Sequence, residues 1–137
     1  MQTISTTYDG DVAILTMQNG ENRHNPQFAQ EMLAALDSIV EKETVKALVI
    51  TSSDEKSFSL GIDTDWLMPA MKTQNFEQIK QFMFDMDEVF KTLLLFPVPV
   101  ITLPLLPLSN KASTDSCNIL FSLRIIISGA LNSINLF

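Results

Sequence analysis

One run constrains the fold of this chain more than any other. Val45-Lys46-Ala47-Leu48-Val49-Ile50-Thr51 is short, nearly continuous in apolar character, and lies between two stretches of helical periodicity. That pattern suits a parallel strand buried on both faces. Before it, Asn25-Pro26 opens a helix, with Asn as N-cap and Pro at the first helical position. Phe28, Met32, Leu36, Ile39 and Val40 recur at helical spacing, with Gln27, Gln30, Glu31, Asp37, Ser38 and Glu41 on the other face. An amphipathic helix covering a sheet is predicted. After the run, a polar loop over 52–57 leads on to a second amphipathic helix. It starts near Asn75, carries Phe76, Ile79, Phe82, Met83, Met86, Val89, Phe90, Leu93 and Leu94, and ends before Phe96-Pro97. Val98–Thr102 reads as another buried strand. At the N-terminus, Thr3–Tyr8 and Val12–Met17 are β-rich runs joined by Asp9-Gly10-Asp11, a hairpin signal. The predicted order is ββαβαβ, and strands separated by helices imply parallel pairing with right-handed crossovers.

Charge divides the chain. Of residues 1–97, 22 are charged, against 3 of the 40 that follow. A net charge of −7 excludes a nucleic-acid binder that needs a basic face. One cysteine and one histidine exclude a disulfide framework and the usual metal sites, so no metal is expected. The first residues have neither a basic nor an apolar targeting region. The apolar stretch from Ile119 to Phe137 is interrupted by Ser, Asn, Gly and Arg. A spanning helix needs about 20 mostly apolar residues, so no membrane partner and a cytoplasmic location are expected.

Three stretches together resemble the crotonase superfamily, the enoyl-CoA hydratase/isomerase family. Val12–Asn19 leading into Asn22-Arg23-His24-Asn25-Pro26 is similar to the family's second strand and the "R-x-N" start of its first helix. Lys46–Thr51 followed by Phe58-Ser59-Leu60-Gly61-Ile62-Asp63 resembles "V-[IV]-x-[GS]…F-S-x-G-x-D", the most specific match. Phe96-Pro97-Val98-Pro99-Val100-Ile101 is similar to "x-P-K-P-V-I-A-A", with Val98 where Lys is usual. The resemblance covers about residues 3–102. It implies an α/β chain with the crotonase-like ββα spiral fold, N-terminal half only, as a domain over 1–102 followed by an unmatched apolar tail over 103–137.

The resemblance also implies a ligand, an acyl-CoA or enoyl-CoA thioester. Coenzyme A would enter as part of the substrate and no separate cofactor is expected. The family reaction is hydration or double-bond isomerisation, which belongs to fatty acid metabolism. Two backbone N–H groups hold the thioester oxygen while an enolate forms, and preorganised donors offset its charge in a dry site. By resemblance Leu60 supplies the first donor. Gly61 lets the chain pass close to the pantetheine, and Asp63 and Thr64 cap a short helix. His24, Asn25, Ser59, Leu60, Gly61, Ile62 and Asp63 line the CoA groove, with His24 a groove residue rather than a general base. Trp66, Met68 and Met71 would contact an acyl chain or serve as core or lid. Full-length relatives are expected to be homo-oligomers built on trimers.

The family pattern stops at 102. The resemblance implies a following "N-G-x-A-x-G-[GN]-G" segment with the second donor, and catalytic glutamates there and beyond. Here no Gly occurs from 62 to 128 and no Glu after Glu88. Cys117 is read as a free thiol without function. The expectation is a shortened, catalytically incomplete family member whose tail comes from a shifted reading frame or unspliced sequence. The other reading is a non-catalytic acyl-CoA-binding or subunit-interaction module.

Overall fold

A computed structural model describes residues 2–103; the expectations for the 104–137 tail, Cys117 included, lie outside the described residues. Strands β1 (Ile4–Asp9) and β2 (Val12–Met17) form the expected hairpin. Asp9 pairs with Val12, so Gly10-Asp11 are the two turn residues, and Gly10 has φ +58°. A Gly in the first turn position meets the twist of the flanking strands without steric cost. The short β3 (Arg23–His24) follows, then α1 (Pro26–Val40), β4 (Ala47–Ser52), β5 (Gly61–Ile62), α2 (Thr64–Lys72), α3 (Phe76–Leu94) and β6 (Val100–Leu103).

The main sheet runs β1-β2-β4-β6. β2 pairs with β4 in parallel from Val12↔Ala47 to Met17↔Ser52, and β4 with β6 from Leu48↔Val100 to Thr51↔Leu103. The parallel pairing expected of strands separated by helices is present. β6 begins two residues later than expected because Pro97 and Pro99 have no N–H to give. Pairing starts through the Pro99 carbonyl, which accepts the Leu48 N–H at 2.9 Å. It also runs one residue past the expected domain end, to Leu103.

Burial on both faces of β4 is not observed among the described residues. Leu48, Ile50 and Ser52 are buried beside Ala13, Leu15 and Met17 of β2, whereas Ala47, Val49 and Thr51 are half-buried. The covering helices lie on one side only. Phe28, Met32, Leu36 and Ile39 of α1 and Phe82, Met86 and Val89 of α3 close the core over that face. Val40, Phe76, Met83, Phe90 and Leu94, placed on the apolar stripes by spacing, are exposed.

Glu31 fastens α1 to the first strand. Its Oε2 accepts from Thr3 N at 2.6 Å, Thr3 Oγ1 at 2.9 Å and Ile4 N at 3.3 Å, and Oε1 accepts from Gln27 at 2.8 Å. These hydrogen bonds, that from Gln27 first, hold its carboxyl below the usual glutamate value. No described helix is long and apolar enough to cross a membrane.

Candidate functional site

The site assembles where two loops meet. β3 and β5 pair in parallel, Arg23 with Gly61 and His24 with Ile62, bringing the starts of α1 and α2 together. Asn22 makes this possible. It is fully buried at φ +51°, a conformation that Asn tolerates better than most residues. Its Nδ2 donates to Ser52 Oγ at 2.8 Å and to the Phe58 carbonyl at 3.0 Å, and its Oδ1 accepts from Asn19 N at 3.0 Å. The sequence reading placed Asn22 in the start of the R-x-N stretch but missed this role. The signal was its position in Asn19-Gly20-Glu21-Asn22, a cluster of turn formers.

Ser59 Oγ donates to the Asn22 carbonyl at 2.7 Å and accepts from Gly61 N at 3.1 Å. It also lies 2.9 Å from His24 Nε2. With the hydroxyl proton on Asn22, the network assigns the Nε2 proton to His24, which donates to Ser59. The imidazole stacks on Phe28, 4.6 Å between centroids, and burial pushes its pKa below the ordinary value. A neutral imidazole bonded in this way positions the loop; its Nε2 is not free to take a proton.

Asn25 and Asp63 are N-caps. Asn25 Oδ1 accepts from Phe28 N at 3.0 Å, and Asp63 Oδ1 from Asp65 N and Trp66 N at 3.1 and 3.2 Å. Thr64, expected as a cap, is instead the first residue of α2.

A cavity of about 590 Å³ opens between this loop pair, α1, α3 and the sheet. His24, Ser59, Leu60, Gly61 and Ile62 line it; Asn25 and Asp63, expected in the groove, are not among its lining residues. Most of the rest is apolar, including Met17, Met32, Ile50, Phe82 and Met86. Of the aromatic and Met residues singled out earlier, Trp66 packs edge-on against Phe82 at 4.8 Å, while Met68 and Met71 are exposed and off the cavity.

One expectation for the loop changes. The Leu60 N–H is already bonded to the Glu21 carbonyl at 3.1 Å, so in this conformation it is not an open donor. Gly61 is also required by its backbone, at φ +82°, and a Cβ there would meet no protein atom within 4 Å. No group of three or more His, Cys, Asp or Glu among the described residues could hold a metal ion.

Known proteins resemble this chain in sequence and fold. The enoyl-CoA hydratase/isomerase family model matches residues 7–103. Enoyl-CoA delta isomerase 2, peroxisomal, of Arabidopsis thaliana is 31% identical over 94 residues, 67% of this chain and 39% of that protein. An enoyl-CoA hydratase from Shewanella pealeana superposes with TM-score 0.66 at 25% identity, covering 73% of this chain and 38% of the other. One from Bacillus halodurans gives 0.68 at 13% identity, covering 73% and 41%, a likeness of fold. The chain therefore spans about two fifths of the length of these relatives. With the family model covering well over half of the chain, and with the crotonase fold present, the chain belongs to the enoyl-CoA hydratase/isomerase family.

Proposed function

We propose that residues 2–103 bind an acyl-CoA thioester in the cavity and present its carbonyl to the β5 backbone, without the groups needed for turnover. The observation that carries this reading is the cavity itself. Its wall is largely apolar, it is edged by the Ser59–Ile62 loop, and its described lining includes no carboxylate. A pocket that is mostly apolar with few placed polar groups is the usual form of a small-molecule site.

The oxyanion donor passes from Leu60 to Ile62. The Asp63 N–H is bonded to the His24 carbonyl at 2.9 Å. Successive N–H groups in extended backbone point to opposite sides, so that of Ile62 turns away from β3. A single donor holds a ground-state carbonyl but lacks the paired stabilisation of an enolate. Losing one such donor costs about 10²–10³ in rate, and a missing acid/base group about 10²–10⁴.

Titration of the chain with a saturated acyl-CoA, alongside a steady-state hydration assay on a short 2-enoyl-CoA, tests both halves. Saturable binding without turnover is expected. Failure to bind overturns the acyl-thioester reading. Turnover near that of an ordinary enzyme, about 10 s⁻¹, overturns the claim of incompleteness.

A further inference from the structure

Four polar side chains are buried among the described residues: Thr3, Asn22, Ser52 and Thr102. The first three are bonded, to Glu31, to Ser52 and Phe58, and to Ser57 respectively. Thr102 is the exception. It is 6% exposed, and its Oγ1 has no hydrogen-bond partner among the described residues. Leaving a buried hydroxyl unmet is costly, and valine of nearly the same shape would avoid that cost.

Thr102 is also on the cavity wall. It stands opposite Ile50 in the β4–β6 register, on the helix-covered side of the sheet. The other two polar side chains of the wall are His24 and Ser59, whose Nε2 and Oγ are bonded to each other. Thr102 is therefore the wall residue whose hydroxyl is unused, with Oγ1 itself turned away from the open cavity. Reaching a ligand requires a change of χ1 to another staggered rotamer that turns Oγ1 toward the cavity.

We propose that Thr102 makes this cavity selective for acyl chains carrying an oxygen of their own, a hydroxyl or a keto group along the chain, over plain alkyl chains. This rests on the acyl-thioester reading above and adds the substrate class. A plain chain fills the Met- and Phe-lined wall and leaves Oγ1 orphaned. An oxygenated chain buries its polar atom against Oγ1, so both are satisfied at once. The discrimination arises mainly because the mismatched pairs leave a buried polar group unpaired.

The test uses the whole 137-residue chain and isothermal titration with medium-chain acyl-CoAs. One is plain; the others bear a single hydroxyl near the thioester, mid-chain or at the terminus. At least one hydroxylated chain should bind about 3–10-fold tighter than the plain one, the value of one net hydrogen bond. Thr102→Val should abolish that preference. Thr102→Ser, which keeps the hydroxyl, should retain it and serves if the valine variant folds poorly. If the plain chain binds but no hydroxylated chain gains, or the preference survives in Thr102→Val, the proposal is overturned and the acyl-thioester reading stands. If no acyl-CoA binds, both fall.

Discussion

The Nδ2 of Asn25 donates to Oδ2 of Asp63 at 3.0 Å, so the N-cap of α1 is bonded to the N-cap of α2. Each side chain uses one atom for its own helix and another for its neighbour. Two helix starts separated by 38 positions in sequence are thereby held together, each one residue beyond a cavity-lining residue, His24 and Ile62. Asn25→Ala removes a cap and this link, and the expected cost is about 1–2 kcal/mol in urea unfolding. Asn25→Asp keeps the α1 cap but sets two carboxylates against each other. Relative to the parent chain at the same pH, that variant should be weak at neutral pH and recover part of the deficit in mild acid. An equal deficit at both pH values would count against the link.

Gly61 gives a second prediction. Ala at this position meets open space but must adopt φ +82°. A left-handed conformation costs a non-glycine residue about 1–2 kcal/mol. Gly61→Ala should lower stability by that amount, and Gly61→Asn by less, since Asn accepts positive φ more readily. A larger loss for Asn than for Ala would point to steric exclusion instead.

His24 sets a pH dependence with a definite sign. Its folded-state pKa lies below the ordinary imidazole value of 6.5 because burial disfavours the charged form. Where the folded pKa is depressed, the unfolded chain binds the extra proton first. The stability that neutral His24 contributes is present above about 6.5 and declines as pH falls from there through the folded value. His24→Phe should flatten the unfolding free energy over that window. It should also lose the Ser59 contact, so acyl-CoA affinity should fall at every pH.

Local signals made much of the fold legible. Asn25-Pro26 marks the start of α1, Phe96-Pro97 the end of α3, and Asp-Gly the hairpin, because each residue type restricts its own φ or supplies a cap. The run over 45–51 identified a parallel strand, but its two-sided burial failed since covering helices occupy one face of the described sheet. Periodicity likewise put Phe76, Met83 and Phe90 on an apolar stripe but could not show that they are exposed, Met83 and Phe90 at the edge of a cavity. The loop motif placed Ser59, Leu60, Gly61 and Ile62 on one wall. Hydrogen-bond assignment within that loop was not legible, because whether the Leu60 N–H is open depends on the Glu21 carbonyl, 39 positions away. Thr102 was read only as part of a strand. An orphaned hydroxyl is a property of its surroundings, which no single residue reveals.

Asn22 should be the most sensitive position of the site. Its side chain joins three separate segments, through Asn19 N, Ser52 Oγ and the Phe58 carbonyl, and its own carbonyl holds Ser59. Asn22→Ala leaves the half-buried Phe58 carbonyl and Asn19 N–H without their partner and retains the positive φ. Two such unmet groups suggest a loss of about 2–4 kcal/mol. Asn22→Gly relaxes the backbone but loses the same bonds, so it should recover only the conformational part, about 1–2 kcal/mol. Asn22→Asp is the sharper comparison. It has the shape of Asn, yet it replaces the donor toward Phe58 with an oxygen and turns attraction into repulsion. The aspartate variant should be no more stable than the alanine one at neutral pH despite its shape. All three should bind acyl-CoA more weakly than the parent chain, because the loop that carries His24 and Ser59 loses the side-chain bonds that hold it. Urea unfolding and the same titration check this together. An Asn22→Asp protein with near-parent stability would mean that shape, and not the direction of these hydrogen bonds, holds the two loops together.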